Sequence, residues 1–181
     1  MQIINFRSGQ VDENVLQKTA ELYCGIWQEA PWEEDFWKVS DVLQDMQTEF
    51  SKKSANAFFI EDKESKKVIG FSWGYPVDKA QARDICGSDD LESLFKQEPL
   101  IFYIDELGVA SACRGRGVGK ILSKSLIAWA TACGMRCIIL RTDERALAAR
   151  TLYSELGFKE LAVVDVQYSN RTYWNLQLTN I

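Results

Sequence analysis

The sequence predicts one α/β domain (α+β mixed), a central mixed sheet with helices on both faces. Three observations carry this. Apolar runs of strand period alternate with stripes of helix period in the order β-α-α-β-β-β-α-β-α-β-β. A length of 181 residues suits one domain of about 100–200 residues. A hydrophobic content of 46% with 26% charged residues belongs to a chain that buries a core, not to a disordered one. No internal repeat, low-complexity stretch or linker interrupts the pattern, so the predicted domain spans residues 1–181.

In chain order, residues 2–6 read as a short edge strand. Residues 11–28 are helical, because Val15, Leu16, Thr19, Leu22, Tyr23 and Ile26 fall on one stripe. Ala30-Pro31 breaks that helix. A second amphipathic helix follows at about residues 35–53, with Phe36, Val39, Val42, Leu43, Met46 and Phe50 inward. Strands at 57–61 and 68–75 flank the charged turn Asp62-Lys63-Glu64-Ser65-Lys66-Lys67, a hairpin. Residues 76–99 form a polar, acidic excursion with a short helix at 90–97. Residues 100–109 are a strand rich in Ile, Phe and Tyr. A turn at 114–119 opens a helix that runs to about residue 133. Residues 136–141 are a buried strand, and 145–156 a helix that stops at Gly157, a residue suited to the left-handed position after a helix. Residues 158–168 and 172–178 read as a terminal hairpin around Ser169-Asn170-Arg171.

Charge and composition exclude several functions. The net charge of −5 argues against nucleic acid as a partner, since phosphate neutralisation needs a basic footprint, and suits a cationic one. No apolar run approaches the roughly 20 residues of a membrane-spanning helix. The start, Met1-Gln2-Ile3-Ile4-Asn5-Phe6-Arg7, lacks the basic region and long apolar stretch of a signal peptide. Cys24, Cys86, Cys113, Cys133 and Cys137 are scattered without CxxC spacing, which reads as free thiols in a reducing cytoplasm. Histidine is absent, so no Ser-His-Asp triad, Cys-His nucleophile or HExxH metal site exists, and a zinc site is not expected. Proton transfer falls to a carboxylate, Lys, Tyr, Cys or water.

The segment richest in chemistry is Arg114-Gly115-Arg116-Gly117-Val118-Gly119-Lys120, between a strand and a helix. Glycines permit a tight turn and let an anion approach the main chain. The first amides of a helix lack internal acceptors, and the macrodipole makes that end positive, so a phosphate or pyrophosphate site results. Two phosphate motifs fail here. Walker A would need Gly at Arg114 and Ser or Thr at Ile121; the dinucleotide fingerprint GxGxxG meets Lys120 or Leu122 where its last glycine belongs. Lys120 and Lys124 sit at i,i+4, where like charges repel by a few tenths of a kcal/mol unless an anion lies nearby. With Arg114 and Arg116 they make a basic cluster in an acidic chain, though a solvated helix face would look the same.

The pattern that fits is Arg/Gln-x-x-Gly-x-Gly/Ala, at Arg114, Gly117 and Gly119. Here the sequence resembles the GNAT superfamily of N-acetyltransferases. Tyr103-Ile104-Asp105-Glu106-Leu107-Gly108-Val109 is similar to that family's fourth strand. Ala149-Arg150-Thr151-Leu152-Tyr153-Ser154-Glu155-Leu156-Gly157-Phe158 is similar to its Ala-x-x-Leu-Tyr-x-x-x-Gly-Phe signature. The three segments keep the family's order and spacing. Two departures stand out: Ala110-Ser111-Ala112 occupies a place where proline is frequent, and Ala146 one where asparagine often bonds the pantetheine arm. The resemblance implies a GNAT-like, mostly antiparallel sheet and acetyl-CoA (coenzyme A) as cofactor. It implies a pyrophosphate at Arg114, Gly115, Arg116, Gly117, Val118, Gly119 and Lys120, and a strand edge at Leu107 and Val109 that pairs with pantetheine and offers amides to the oxyanion.

A lysine-like amine has a pKa near 10.4, so neutralising it at pH 7 costs about 4.6 kcal/mol. Asp105 and Glu106, in an apolar strand just before the turn, are the candidate bases, and the resemblance places acidic residues of the family there. Period-2 geometry sends them to opposite faces; Glu106 has the longer reach, and a pairing role with a neighbouring cation stands beside the catalytic one for each. The resemblance makes Tyr153 the candidate acid, or hydrogen-bond donor to the departing thiolate. It also lies on the apolar stripe of Ala149, Leu152 and Leu156, which a core role would equally explain.

For the acceptor, the family resemblance points to the connection between the first two helices, with Trp32, Glu33 and Asp35 as substrate-binding residues, and to the excursion around residues 84–92. Aromatics beside carboxylates suit a small-molecule amine of polyamine or aminoglycoside type, through cation–π and charge contacts. A protein or peptide amine is the alternative, and a non-catalytic acyl-CoA-binding regulatory domain a second. A homodimer is common in the family.

Overall fold

The computed structural model describes residues 1–8, 11–96 and 98–178. Its strands form a seven-stranded sheet in the order β1-β2-β3-β4-β5-β7-β6. They are β1 (Gln2–Asn5), β2 (Asn56–Glu61), β3 (Val68–Val77), β4 (Ile101–Val109), β5 (Cys137–Asp143), β6 (Lys159–Glu160) and β7 (Arg171–Gln177). The pairings are antiparallel for β1–β2, β2–β3, β5–β7 and β6–β7, and parallel for β4–β5. Among the described residues five α-helices accompany them: α1 (Glu13–Trp27), α2 (Val39–Phe50), α3 (Lys79–Cys86), α4 (Val118–Ala132) and α5 (Leu147–Glu155). By internal contacts the chain divides into two compact units, which share β4 and α4.

The first unit comprises Met1–Tyr75 and Glu106–Leu126. Asp12 caps α1, its carboxylate accepting from the Val15 amide, and the stripe that follows buries Val15, Thr19, Tyr23 and Ile26 as the periodicity predicts. Helix α2 buries Val42, Met46 and Phe50. Phe36 does not join them. It precedes α2 and is 64% exposed, because the backbone stays non-helical to Lys38, the residue before the first helical turn. The core is aromatic: Tyr23 stacks on Trp27 at 4.1 Å, and Phe71, Trp73 and Phe50 continue the cluster. Each such side chain contributes about 1.5–3 kcal/mol on burial. The Trp73 indole N–H is satisfied by Glu49 Oε2 at 2.6 Å.

The second unit comprises Pro76–Asp105 and Ile127–Ile181. In it Phe102, Tyr103 and Ile104 of β4 lie beside Ile138, Ile139 and Leu140 of β5, an apolar run buried throughout. Helix α3 is an element the sequence reading lacks. It starts at a capping box, in which the Asp78 carboxylate accepts from the Gln81 amide and the Gln81 side chain accepts from the Asp78 amide. It ends at Gly87 with φ of 72°. The short helix expected at 90–97 is a single 3-10 turn, Glu92–Phe95; Gln97, at its expected end, lies outside the described residues.

The terminal hairpin also differs from expectation. The strand itself covers only Lys159–Glu160; the Leu161 amide adds one bond to the Tyr173 carbonyl of β7 at 2.8 Å, and 162–168 leave the sheet. The cause is Asp165, 2% exposed. Its carboxylate accepts from the Gln167 and Tyr168 amides, the Tyr173 hydroxyl at 2.8 Å and the Arg141 guanidinium at 3.3 Å, and so folds the segment inward. A buried carboxylate with four donors outweighs the few ladder bonds that strand continuation would add.

Candidate functional site

The helix α4 begins where two glycines allow it. Gly115 and Gly117 have φ of 73° and 81°, a left-handed backbone that side chains avoid. Among the described residues a Cβ at either would meet nothing within 4 Å, so this side of the turn is open. Behind it the packing is tight. A Cβ at Gly70 of β3 would lie 2.7 Å from Val118 Cγ1 and 3.2 Å from the Gly108 carbonyl oxygen. The absent side chain is what lets the first residue of α4 rest directly on the sheet. The amides of that first turn point outward without acceptors inside the helix, beside the exposed cations Arg114, Arg116, Lys120 and Lys124.

Arg114 is held from two sides. Its Nε donates to the Val109 carbonyl at 3.1 Å, and its Nη2 meets Glu29 Oε2 at 2.5 Å. Glu29 opens the α1–α2 connection, where its own carbonyl accepts from the Trp32 and Glu33 amides. Of the sequence-predicted acceptor residues, Trp32 is half-buried and stacks on Trp27 at 5.9 Å, while Glu33 and Asp35 are exposed. Trp37 donates its indole N–H to Glu34 Oε2 at 2.8 Å.

Glu106 is half-buried at the end of β4, and the Tyr23 hydroxyl donates to its Oε1 at 3.0 Å. Leu107 and Val109 follow on the same strand, both half-buried. The first unit thus brings together Glu106, Leu107, Val109, the residues 114–120, and Trp32 with its neighbours. Asp105 and Tyr153 belong to the second unit. There Tyr153, 6% exposed, packs its ring against Phe158 and Trp174 at 5.9 and 6.4 Å. That unit also has a cavity of about 560 Å³ lined by Glu144, Arg145, Leu147, Arg150, Glu160 and Thr172, flanking Ala146. Its arginines are already paired, Arg150 with Glu160 and Arg145 with Asp143.

Two contacts escaped the sequence reading. Tyr23 looked like part of an apolar stripe, and nothing in the sequence links it to Glu106, 83 positions away. Glu29 and Arg114 are as remote from each other, and only the fold joins them.

Comparison with known proteins fits this arrangement. The profile of the acetyltransferase (GNAT) family matches residues 17–158, more than three quarters of the chain. Among curated proteins no sequence matches. Solved structures share the fold at low identity. The NatC complex bound to Gag peptide and CoA is 18% identical with a TM-score of 0.67, covering 99% of this chain and 100% of that one. The Salmonella typhimurium protein yncA, solved with its cofactor acetyl-CoA, is 16% identical with a TM-score of 0.69, covering 99% and 95%. Arabidopsis thaliana NAA60, solved with a bisubstrate analogue, is 14% identical with a TM-score of 0.66, covering 98% and 100%. The family match spans both the strand that carries Glu106 and the turn that opens α4, and the chain belongs to the acetyltransferase (GNAT) family.

Proposed function

We propose that this acetyltransferase uses acetyl-CoA and transfers the acetyl group to a primary amine of a small cationic molecule, polyamine- or aminoglycoside-like. One observation carries the cofactor half: the turn at 114–119 faces open space with two left-handed glycines, a helix N-terminus and a cluster of cations. These residues suit a diphosphate, with Arg114, Arg116 and Lys120 opposing its charge and the amides of residues 115–120 reaching its oxygens. The backbone at Leu107 and Val109 is the proposed partner of the pantetheine arm. Bound acetyl-CoA supplies the activated acyl group.

The chain's own residues then have two tasks. Glu106 receives the amine proton, directly or through water, with Tyr23 fixing its carboxylate; Asp105 is the other candidate. Tyr153 donates a hydrogen bond to the departing sulfur, a role that rests on the family signature. A charge-assisted bond of this kind is worth about 1.5–3 kcal/mol. The acceptor reading is supported by Trp32, Glu33 and Asp35 on one connection: an aromatic face beside exposed carboxylates attracts an ammonium group.

Two measurements test this. Calorimetry should show CoA binding to the folded protein, weakened about 10-fold or more in Arg114→Ala, which removes the donor that either arginine or glutamine would supply. Thioester cleavage should be faster with spermidine or an aminoglycoside than with lysine-containing or N-terminal peptides. Faster turnover of peptides would move the acceptor to the protein class. CoA binding without cleavage for any amine would leave a non-catalytic acyl-CoA-binding domain.

A further inference from the structure

The arginine that heads the phosphate turn is not waiting for an anion; it already has one. Glu29 Oε2 contacts Arg114 Nη2 at 2.5 Å. Both side chains keep access to water, at 45% and 35% exposure for Arg114 and Glu29, so the pair can open without a buried charge being left behind. Among the described residues the guanidinium's other partner is the Val109 carbonyl on its Nε, which fixes the near end of the fork and leaves the far end to Glu29. A diphosphate at the turn needs that same far end.

We infer that Glu29 competes with the cofactor diphosphate for Arg114, so that CoA enters by exchanging one anion for another at the guanidinium. The proposal rests on the reading of residues 114–119 as the diphosphate site. Competition follows from charge and geometry: a monovalent carboxylate holds the fork until a divalent linkage, backed by helix amides and Arg116, displaces it. Apparent affinity is then the intrinsic affinity scaled by the fraction of molecules whose Arg114 is free. The exchange also reaches the acceptor side. Glu29 is the residue whose carbonyl holds the Trp32 and Glu33 amides, so releasing its carboxylate frees a side-chain tie between that connection and the phosphate turn. The backbone bonds of the turn do not depend on the carboxylate, and Glu29→Gln or Glu29→Ala should fold as wild type.

The test is CoA binding by calorimetry in wild type, Glu29→Gln, Arg114→Ala and the double variant, with Glu29→Ala as a second probe of the same carboxylate. Neutralising Glu29 should tighten CoA by about two- to fivefold, the range expected from an exposed pair. Arg114→Ala should weaken it, and in that background Glu29→Gln should give no gain. Unchanged or weaker binding in both Glu29 variants would overturn the competition and leave the diphosphate reading intact, provided Arg114→Ala still weakens CoA. An equal gain with and without Arg114 would also overturn it, because the effect would then be a general field and not the pair. If Arg114→Ala binds CoA as wild type does, the diphosphate reading fails and the exchange with it.

Discussion

At the scale of single residues, Tyr153 and Glu106 differ in what their surroundings allow. Tyr153 packs against Phe158 and Trp174 and is nearly buried, so its ring has a structural role whatever its hydroxyl does. Phenylalanine keeps that packing. Tyr153→Phe should therefore hold the unfolding temperature within a few degrees while lowering turnover about 10- to 100-fold. Turnover equal to wild type in a steady-state assay would take the hydroxyl out of the chemistry. Glu106, by contrast, was legible as a candidate from its place in an apolar strand, yet its partner was not. Tyr23 sits on a helix stripe whose spacing says only that it faces inward, and a hydrogen bond to another element leaves no mark on local periodicity.

At the scale of elements, the parts that could be read in advance are those defined by local chemistry. The glycine turn, the start of α4 and the stop at Gly157 follow from backbone preference, and the structure gives Gly157 a φ of 89°. Helix α3 carried equally local signals, Asp78 and Gln81 three apart and Gly87 at the end, but its polar composition hid a stripe of only Ala82 and Cys86. The strand expected at 158–168 stops after Leu161 for the opposite reason: Val164 and Val166 have strand period, and a buried polar network overrode them. Gly70 shows how an element positions the site. Its Cβ would collide with Val118, so Gly70→Ala should force the first turn of α4 off β3. Overpacking of this kind destabilises by about 1–3 kcal/mol. We expect a lower urea midpoint together with weaker CoA binding, and partial recovery of both in Gly70→Ala with Val118→Ala. Loss of stability with CoA affinity unchanged would separate the packing from the proposed phosphate turn.

At the scale of the whole molecule, an acidic chain with carboxylates held as ions should be sensitive to acid. Asp165 is the clearest case. Burial opposes its ionisation, but the Tyr173 hydroxyl, two amides and Arg141 together hold it below the ordinary carboxylate value. Asp143 behaves alike: desolvation pushes it up, and bonds from Arg145 bring it down further. Burial first, and then the Asp165 carboxylate, raise the Tyr173 phenol, which stays protonated as the donor this network needs. A folded value below the unfolded one, near 3.9, means the unfolded chain binds protons more readily. Stability from these groups is thus complete above about pH 5 and drains away as pH falls through their folded values. Asp165→Asn removes one of them. At pH 7 it should cost up to about 3–5 kcal/mol, less to the extent that Arg141 regains water. Between pH 5 and 3 it should lose less further stability than wild type, because its part of the acid-labile term is already gone. Urea midpoints measured across that range for the two proteins decide the matter, and parallel slopes would mean that Asp165 is no more ionised in the folded chain than in the unfolded one.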